Sequence, residues 1–102
     1  MKYQLVLQWP CSSSSDGVGL LSIEGLIEKA IGELGVVDGH DIGSGEMNVF
    51  VHTKKPRSAF EKAKPLLFLM GQLPEMKAGY RDFDEDDYAP IWPAELDPFA
   101  VK

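Results

Sequence analysis

Apolar residues recur along this chain with two different periods, and the order of those periods is the strongest constraint on its fold. Residues 2–9 alternate between apolar and polar side chains, which predicts a half-buried strand that Pro10 ends. From Leu20 to Leu34 the spacing becomes helical, with charged residues on the opposite side and Gly35 as the expected residue after the helix. The first two elements are therefore predicted to be a strand and a helix, joined by a Ser- and Gly-rich loop.

The middle of the chain predicts a β-hairpin followed by a second helix. Residues 36–42 and 46–53 are strand-like, and the short connection between them contains glycine. The expected turn consists of Gly43, Ser44 and Gly45, with at least one glycine at positive φ. Pro56 suits the first turn of a helix, while Pro65 should kink or divide that helix. The apolar stripe expected on this helix consists of Ala59, Phe60, Ala63, Leu67 and Met70.

The last part of the chain predicts two further strands around an acidic turn. Residues 76–83 form the longer strand, residues 82–87 the turn, and residues 88–92 a short return that Pro90 restricts to an edge. The resulting order is β-α-β-β-α-β with one extra short strand at the C-terminal end. It predicts a ferredoxin-like α+β sandwich, in which one antiparallel sheet carries both helices on one face and the first and third strands are central. We expect one domain over residues 1–93 and a tail over residues 94–102.

Composition excludes several classes of function. The chain of 102 residues has 10 Lys and Arg against 16 Asp and Glu, a net charge of −6. This balance argues against binding to nucleic acid, which requires a basic surface, and against an anionic membrane. No apolar run approaches a membrane span, and the N-terminal residues lack the apolar core of a signal peptide. Since Cys11 is the only cysteine, no intrachain disulfide forms, and we expect a cytoplasmic protein.

The predicted sheet leaves one face without helices, and this face is the candidate binding surface. Met47, Val49 and Val51 form the more apolar set of their strand and should face the helices. The complementary residues of the central strands then face outward. His40 joins them if Ile42 pairs with Glu46, whereas a slip of one residue turns it away. The predicted binding residues are Gln4, Val6, His40, Asn48, Phe50 and His52.

The hairpin also contains the densest group of residues suited to chemistry. Asp38, His40 and His52 would make a site of two histidines and one carboxylate if the register brought them together, but their spacing is not that of a chelating motif. A structural hairpin is the simpler interpretation, so we expect no metal, no cofactor and no catalytic residue. The acidic run 82–87 resembles a calcium loop but lacks its glycine and its final glutamate; a solvated turn, or a docking surface for a basic protein, fits better.

The stretch from Asp38 to Thr53, followed by Pro56 and Phe60, resembles a group of short uncharacterised bacterial proteins. The resemblance covers roughly residues 36–67, and less clearly the segment from Tyr88 to Pro93. It implies a bacterial source and draws attention to the hairpin. It implies no activity, because none is known for that group.

Three functions remain open from the sequence. The first is a binding or regulatory domain that contacts a protein, a second copy of itself or a small ligand through the open sheet face. The second is an acidic inhibitor or immunity-type protein that neutralises a basic toxin or nuclease. The third is a small hydrolase using His40, Asp41 and His52, for which no complete set of nucleophile, base and orienting group is evident.

Overall fold

The predicted α+β architecture is confirmed by the structure, a computed structural model that describes residues 2–10, 16–43, 46–69 and 76–92. The strands are β1 (Tyr3–Pro10), β2 (Gly35–Gly43), β3 (Glu46–Thr53), β4 (Lys77–Asp82) and β5 (Ala89–Trp92). The helices are α1 (Asp16–Ile31), a short 3-10 helix (Gly32–Leu34) and α2 (Pro56–Leu69). The strands form one antiparallel sheet in the order β2-β3-β1-β4-β5, so β1 and β3 are central as predicted and β5 is an edge strand.

Both helices pack on the same face of this sheet. Leu5, Leu7 and Trp9 of β1 point toward them, which is the alternation that the sequence predicts. Met47, Val49 and Val51 of β3 do the same, so their predicted orientation is confirmed. The helices contribute Ile27 and Ile31 of α1 and Ala59, Phe60, Ala63 and Leu67 of α2, and Met76 and Ala78 complete this cluster of buried apolar side chains.

The first helix differs from the prediction at both ends. It begins at Asp16, four residues before Leu20, and it ends at Ile31. Gly32 then adopts a φ of +56°, a left-handed conformation that glycine enters at little cost. Gly32 therefore terminates α1, whereas the predicted terminator Gly35 is the first residue of β2.

The second helix is continuous through its internal proline. Pro56 occupies the first turn as predicted, and the helix runs without interruption past Pro65 to Leu69. The predicted division of the helix is therefore wrong. Buried residues precede and follow Pro65, and their packing keeps both halves helical despite the lost backbone hydrogen bond.

Several predictions fall on residues that the structure does not describe, and the place of Met70 in the apolar stripe of α2 is one of them. Ser44 and Gly45, between β2 and β3, lie outside the described residues, so the positive φ expected in the turn stays a prediction. Cys11 and the residues from 93 onward, which include the expected tail, lie outside them as well. Within the described ranges, no helix is both long and apolar enough to cross a membrane.

A β-bulge interrupts β2 and changes the direction of its side chains. Val37 pairs with Val51, but Gly39 pairs with Phe50, so Asp38 is an extra residue in the ladder. Gly39 adopts a φ of +154°, which side-chain-bearing residues rarely do. The bulge therefore depends on a glycine at this position.

We expect Gly39→Ala to lower the free energy of unfolding by about 1–3 kcal/mol, because the added methyl group has space but the backbone conformation becomes strained. Gly25→Ala is the matched control, since its methyl group also meets no neighbour and the residue lies inside α1. It should raise the free energy of unfolding by about 0.5–1 kcal/mol. Urea denaturation of both variants measures the difference, and equal effects of the two substitutions would contradict the role assigned to the bulge.

Candidate functional site

The face of the sheet without helices carries the predicted binding residues of β1 and β3. Gln4 pairs with His52, and Val6 pairs with Phe50. Phe50 belongs to the opposite face from the core residues Val49 and Val51, and it is half-buried. The predicted orientation of these two strands is therefore correct.

The centre of this face is not accessible, contrary to the prediction. Val6 and Asn48 are buried, and so is Gln8, whose side-chain amide donates a hydrogen bond of 3.0 Å to Asn48 Oδ1. Because the hydrogen bond replaces contacts with water, burying these two amides costs little free energy. Alternation predicts which way a side chain points, but it does not predict solvent access. Val6 and Asn48 are therefore removed from the candidate binding surface.

Gln4 is also occupied by contacts within the chain. Its Oε1 accepts a hydrogen bond of 3.1 Å from Arg81 Nε and another of 2.9 Å from the Tyr88 hydroxyl. Both donors belong to the segment around the acidic turn. Gln4 therefore attaches this segment to the sheet, which is a structural role.

His40 lies on the opposite face from the one predicted. Ile42 pairs with Met47 and not with Glu46, so His40 stands opposite Val49 and faces the helices. Its Nδ1 contacts the carboxylate of Glu24 on α1. The bulge at Asp38 is the cause, because one extra residue in a strand reverses the side-chain alternation beyond it.

The accessible part of the face lies at the end of the sheet where β3 ends and β1 begins. His52 Nε2 lies 3.3 Å from Asp38 Oδ2, and the Phe83 ring meets the His52 ring edge-on, with 4.9 Å between ring centroids. Val36 pairs with His52 from the neighbouring strand. Val36 and Phe83 are 51% and 39% exposed, so two large apolar side chains flank the imidazole at the surface. We call Val36, Asp38, His52 and Phe83 the His52 corner.

The acidic turn next to this corner is held in a defined conformation. Arg81 Nη1 donates to the carbonyl oxygen of Glu85 at 3.0 Å, and its guanidinium group lies 5.5 Å from the centroid of the Phe83 ring. Asp82 accepts hydrogen bonds from the backbone amides of Asp84 and Glu85. The exposed side chains at the tip of the turn are those of Asp84, Glu85, Asp86 and Asp87. Phe83 of the His52 corner is therefore followed directly in the chain by four exposed carboxylates.

Sequence reasoning missed Val36, Phe83 and Arg81 as parts of this site. The one signal for Phe83 was an aromatic residue inside a run of acids, which is unusual for a merely solvated turn. Nothing in the sequence indicates that Arg81 orders that turn, because the contact depends on the pairing of Arg81 with Gln4 across two strands.

The proposed set of two histidines and one carboxylate is not assembled. Asp38 and His52 are in contact, but His40 lies across the sheet from them. Among the described side chains, no group of three or more His, Cys, Asp and Glu is placed to hold a metal ion. The candidate hydrolase set fails for the same reason. Asp41 pairs with Asn48, which is four residues or about 13 Å along β3 from His52.

No protein-family model, no curated protein and no solved structure matches this chain. The site is therefore interpreted from its own residues. The resemblance of the hairpin to short bacterial proteins stays a prediction, as do the bacterial source and the cytoplasmic location.

Proposed function

We propose that this protein is a non-catalytic binding domain that captures a basic protein segment at the His52 corner. The observation that carries the proposal is the pair of exposed apolar side chains, Val36 and Phe83, on either side of His52, with four exposed carboxylates directly after Phe83 in the chain. An apolar centre inside a charged rim is the usual anatomy of a protein interface. The proposal retains His52 and the sheet face from the sequence analysis and moves the contact to one end of that face.

Charge determines the kind of partner that this surface suits. Asp38 is part of the corner, acids at positions 84–87 follow Phe83 in the chain, and the whole chain carries a net charge of −6. A negative surface attracts and orients a cationic partner, and this mainly raises the rate of association. The same charge disfavours nucleic acid and anionic membranes as partners. A segment with Lys or Arg on both sides of an apolar residue is the best complement.

The conformation of the acidic turn supports the proposal further. Arg81 is bonded both to Gln4 on the sheet and to Glu85 in the turn, so the turn is organised before any partner arrives. A preorganised surface loses less conformational entropy on binding. An inhibitor of a basic toxin or nuclease would use the same surface, and the acidic turn is the observation that favours it.

The proposal is tested by selecting peptides from a random displayed library against the full chain. We expect the selected peptides to carry Lys or Arg around an apolar residue, and to shift the backbone amide NMR signals of Val36, His52 and Phe83. Phe83→Ser should weaken their binding about tenfold or more, as expected for a central interface residue.

Phe68→Ser is the matched control, because Phe68 is also an exposed phenylalanine but lies on α2. It should leave peptide binding unchanged. The proposal is wrong if Phe83→Ser binds the selected peptides as tightly as the unaltered chain, or if both serine variants weaken binding equally.

A further inference from the structure

Two segments of this chain carry concentrated charge of opposite sign. Residues 54–64, at the start of α2 and along it, contain five cations and one acid; the cations are Lys54, Lys55, Arg57, Lys62 and Lys64. Residues 82–87 contain five carboxylates and no cation. The net charge of −6 therefore conceals a molecule with one basic segment. Such a molecule has a basic surface that complements its own acidic one.

The basic region includes an apolar groove on α2. The groove has a volume of about 440 Å³ and is lined by Glu61, Lys64, Pro65, Phe68 and Leu69. Phe68 and Leu69 are 70% and 82% exposed, the two highest values among the large apolar side chains that the structure describes. Exposed apolar side chains grouped in this way mark an interaction site more often than scattered ones do. Lys62 lines an adjoining pocket that shares Glu61 and Pro65 with the groove, so a second cation lies beside it.

The groove and the His52 corner lie on opposite sides of the domain. Helix α2 packs on the helical face of the sheet through Ala59, Phe60, Ala63 and Leu67, and the groove is on its solvent side. The corner belongs to the face without helices. The two surfaces of one chain therefore cannot meet, and a contact between them joins different copies.

We infer that the partner captured at the His52 corner is the α2 groove of a second copy of this chain. Phe83 of one copy enters the groove between Phe68 and Leu69 of the next, and the carboxylates at 84–87 lie beside Lys62 and Lys64. The inference rests on the proposed function, for which it names the partner. It is favoured by two complementary features on the same molecule, an aromatic residue next to acids and an apolar groove that is lined by Lys64 and Glu61 and has Lys62 beside it.

This contact is heterologous, because two different surfaces meet. A pair of copies joined in this way still has one free corner and one free groove, so further copies add to form a chain or a closed ring. A single aromatic residue and a few ion pairs bury a small area, which is typical of weak and transient association. The attraction between charged side chains of the two copies should weaken at high salt, because dissolved ions screen it over a shorter distance. Association is therefore expected at high protein concentration and low ionic strength.

The test is sedimentation equilibrium of the full chain at 50 mM and 500 mM NaCl, over protein concentrations up to 1 mM. We expect the average mass of the unaltered chain to rise with concentration at low salt and to fall toward the monomer at high salt. Two altered chains should each stay monomeric: the corner variant Phe83→Ser and the groove variant Lys62→Glu with Lys64→Glu. Far-UV circular dichroism verifies that both variants are folded. The charge control, Lys29→Glu with Lys77→Glu, changes the net charge equally outside the groove and should associate like the unaltered chain.

Mixing the two monomeric variants gives the sharpest outcome. The corner variant keeps an intact groove and the groove variant keeps an intact corner, so an equimolar mixture should form a dimer and nothing larger. The inference is overturned if the unaltered chain stays monomeric at 1 mM and low salt, if the groove variant still associates alone, or if the mixture stays monomeric. In each of these cases the proposed function is judged by its own test. It stands if the selected peptides bind at the corner, and it fails if Phe83→Ser does not weaken their binding.

Discussion

Phe60→Ala is expected to lower the free energy of unfolding by about 3–5 kcal/mol. Phe60 is the largest of the fully buried side chains, and its ring lies 6.1 Å from that of Trp92 between centroids. Its removal leaves a cavity where α2 meets the sheet, and the surrounding packing relaxes only partly. A domain of this size is stable by roughly 5–15 kcal/mol, so the variant is expected to be close to unfolding at 37 °C.

Phe68→Ala provides the comparison on the same helix. Phe68 is eight residues farther along α2 and exposed, so its truncation should change the free energy of unfolding by less than about 0.5 kcal/mol. Urea denaturation at a protein concentration low enough to prevent association measures both variants. A loss of less than about 1.5 kcal/mol for Phe60→Ala would show that the core collapses around the site or is packed differently.

Thr53→Val is expected to destabilise the protein by about 1–3 kcal/mol, although valine has nearly the same shape as threonine. Thr53 is fully buried, and its hydroxyl group donates to the carbonyl oxygen of Leu34 while it accepts a hydrogen bond of 3.0 Å from the Lys55 amide. The hydroxyl thereby connects the residue before β2, the end of β3 and the residue before α2. Valine leaves both backbone groups without this partner.

Thr53→Ser separates the hydrogen bonds from the volume of the side chain. Serine keeps the hydroxyl group and loses one methyl group, so only the packing term is reduced, by about 1 kcal/mol. Amide hydrogen exchange gives the deciding measurement. The Lys55 amide should lose protection in the valine variant and keep it in the serine variant. Equal protection in both variants would contradict the role of the hydroxyl group.

The element order could be predicted from the sequence because it depends on local patterns. Alternation and helical spacing are set by which face of each segment is apolar, and the fold must bury that face. The orientation of Met47, Val49 and Val51 followed in the same way, and the structure confirms it. Pro90 restricted β5 to an edge for an equally local reason, the missing backbone donor.

The candidate site was less predictable because it depends on contacts between segments far apart in the chain. His40 was misplaced by one extra residue at Asp38, because Gly39 permits a bulge there but does not by itself show that the strand contains one. The burial of Val6 and Asn48 also required knowledge of more than their own strands. Phe83 reaches His52 only because β3 and β4 pair on either side of β1.

The order of residues was enough to predict the α+β class, the central positions of β1 and β3, and the faces of these two strands that meet the helices. These properties follow from the free energy gained when each element buries its apolar face, and the order of residues along the chain shows where that face lies. The packed fold was needed to establish which polar residues are exposed. It was also needed to show that the bulge places His40 and His52 on opposite faces of the sheet, and that Arg81 orders the acidic turn. Those properties depend on the register between distant strands, in which a shift of one residue exchanges the two faces of the sheet.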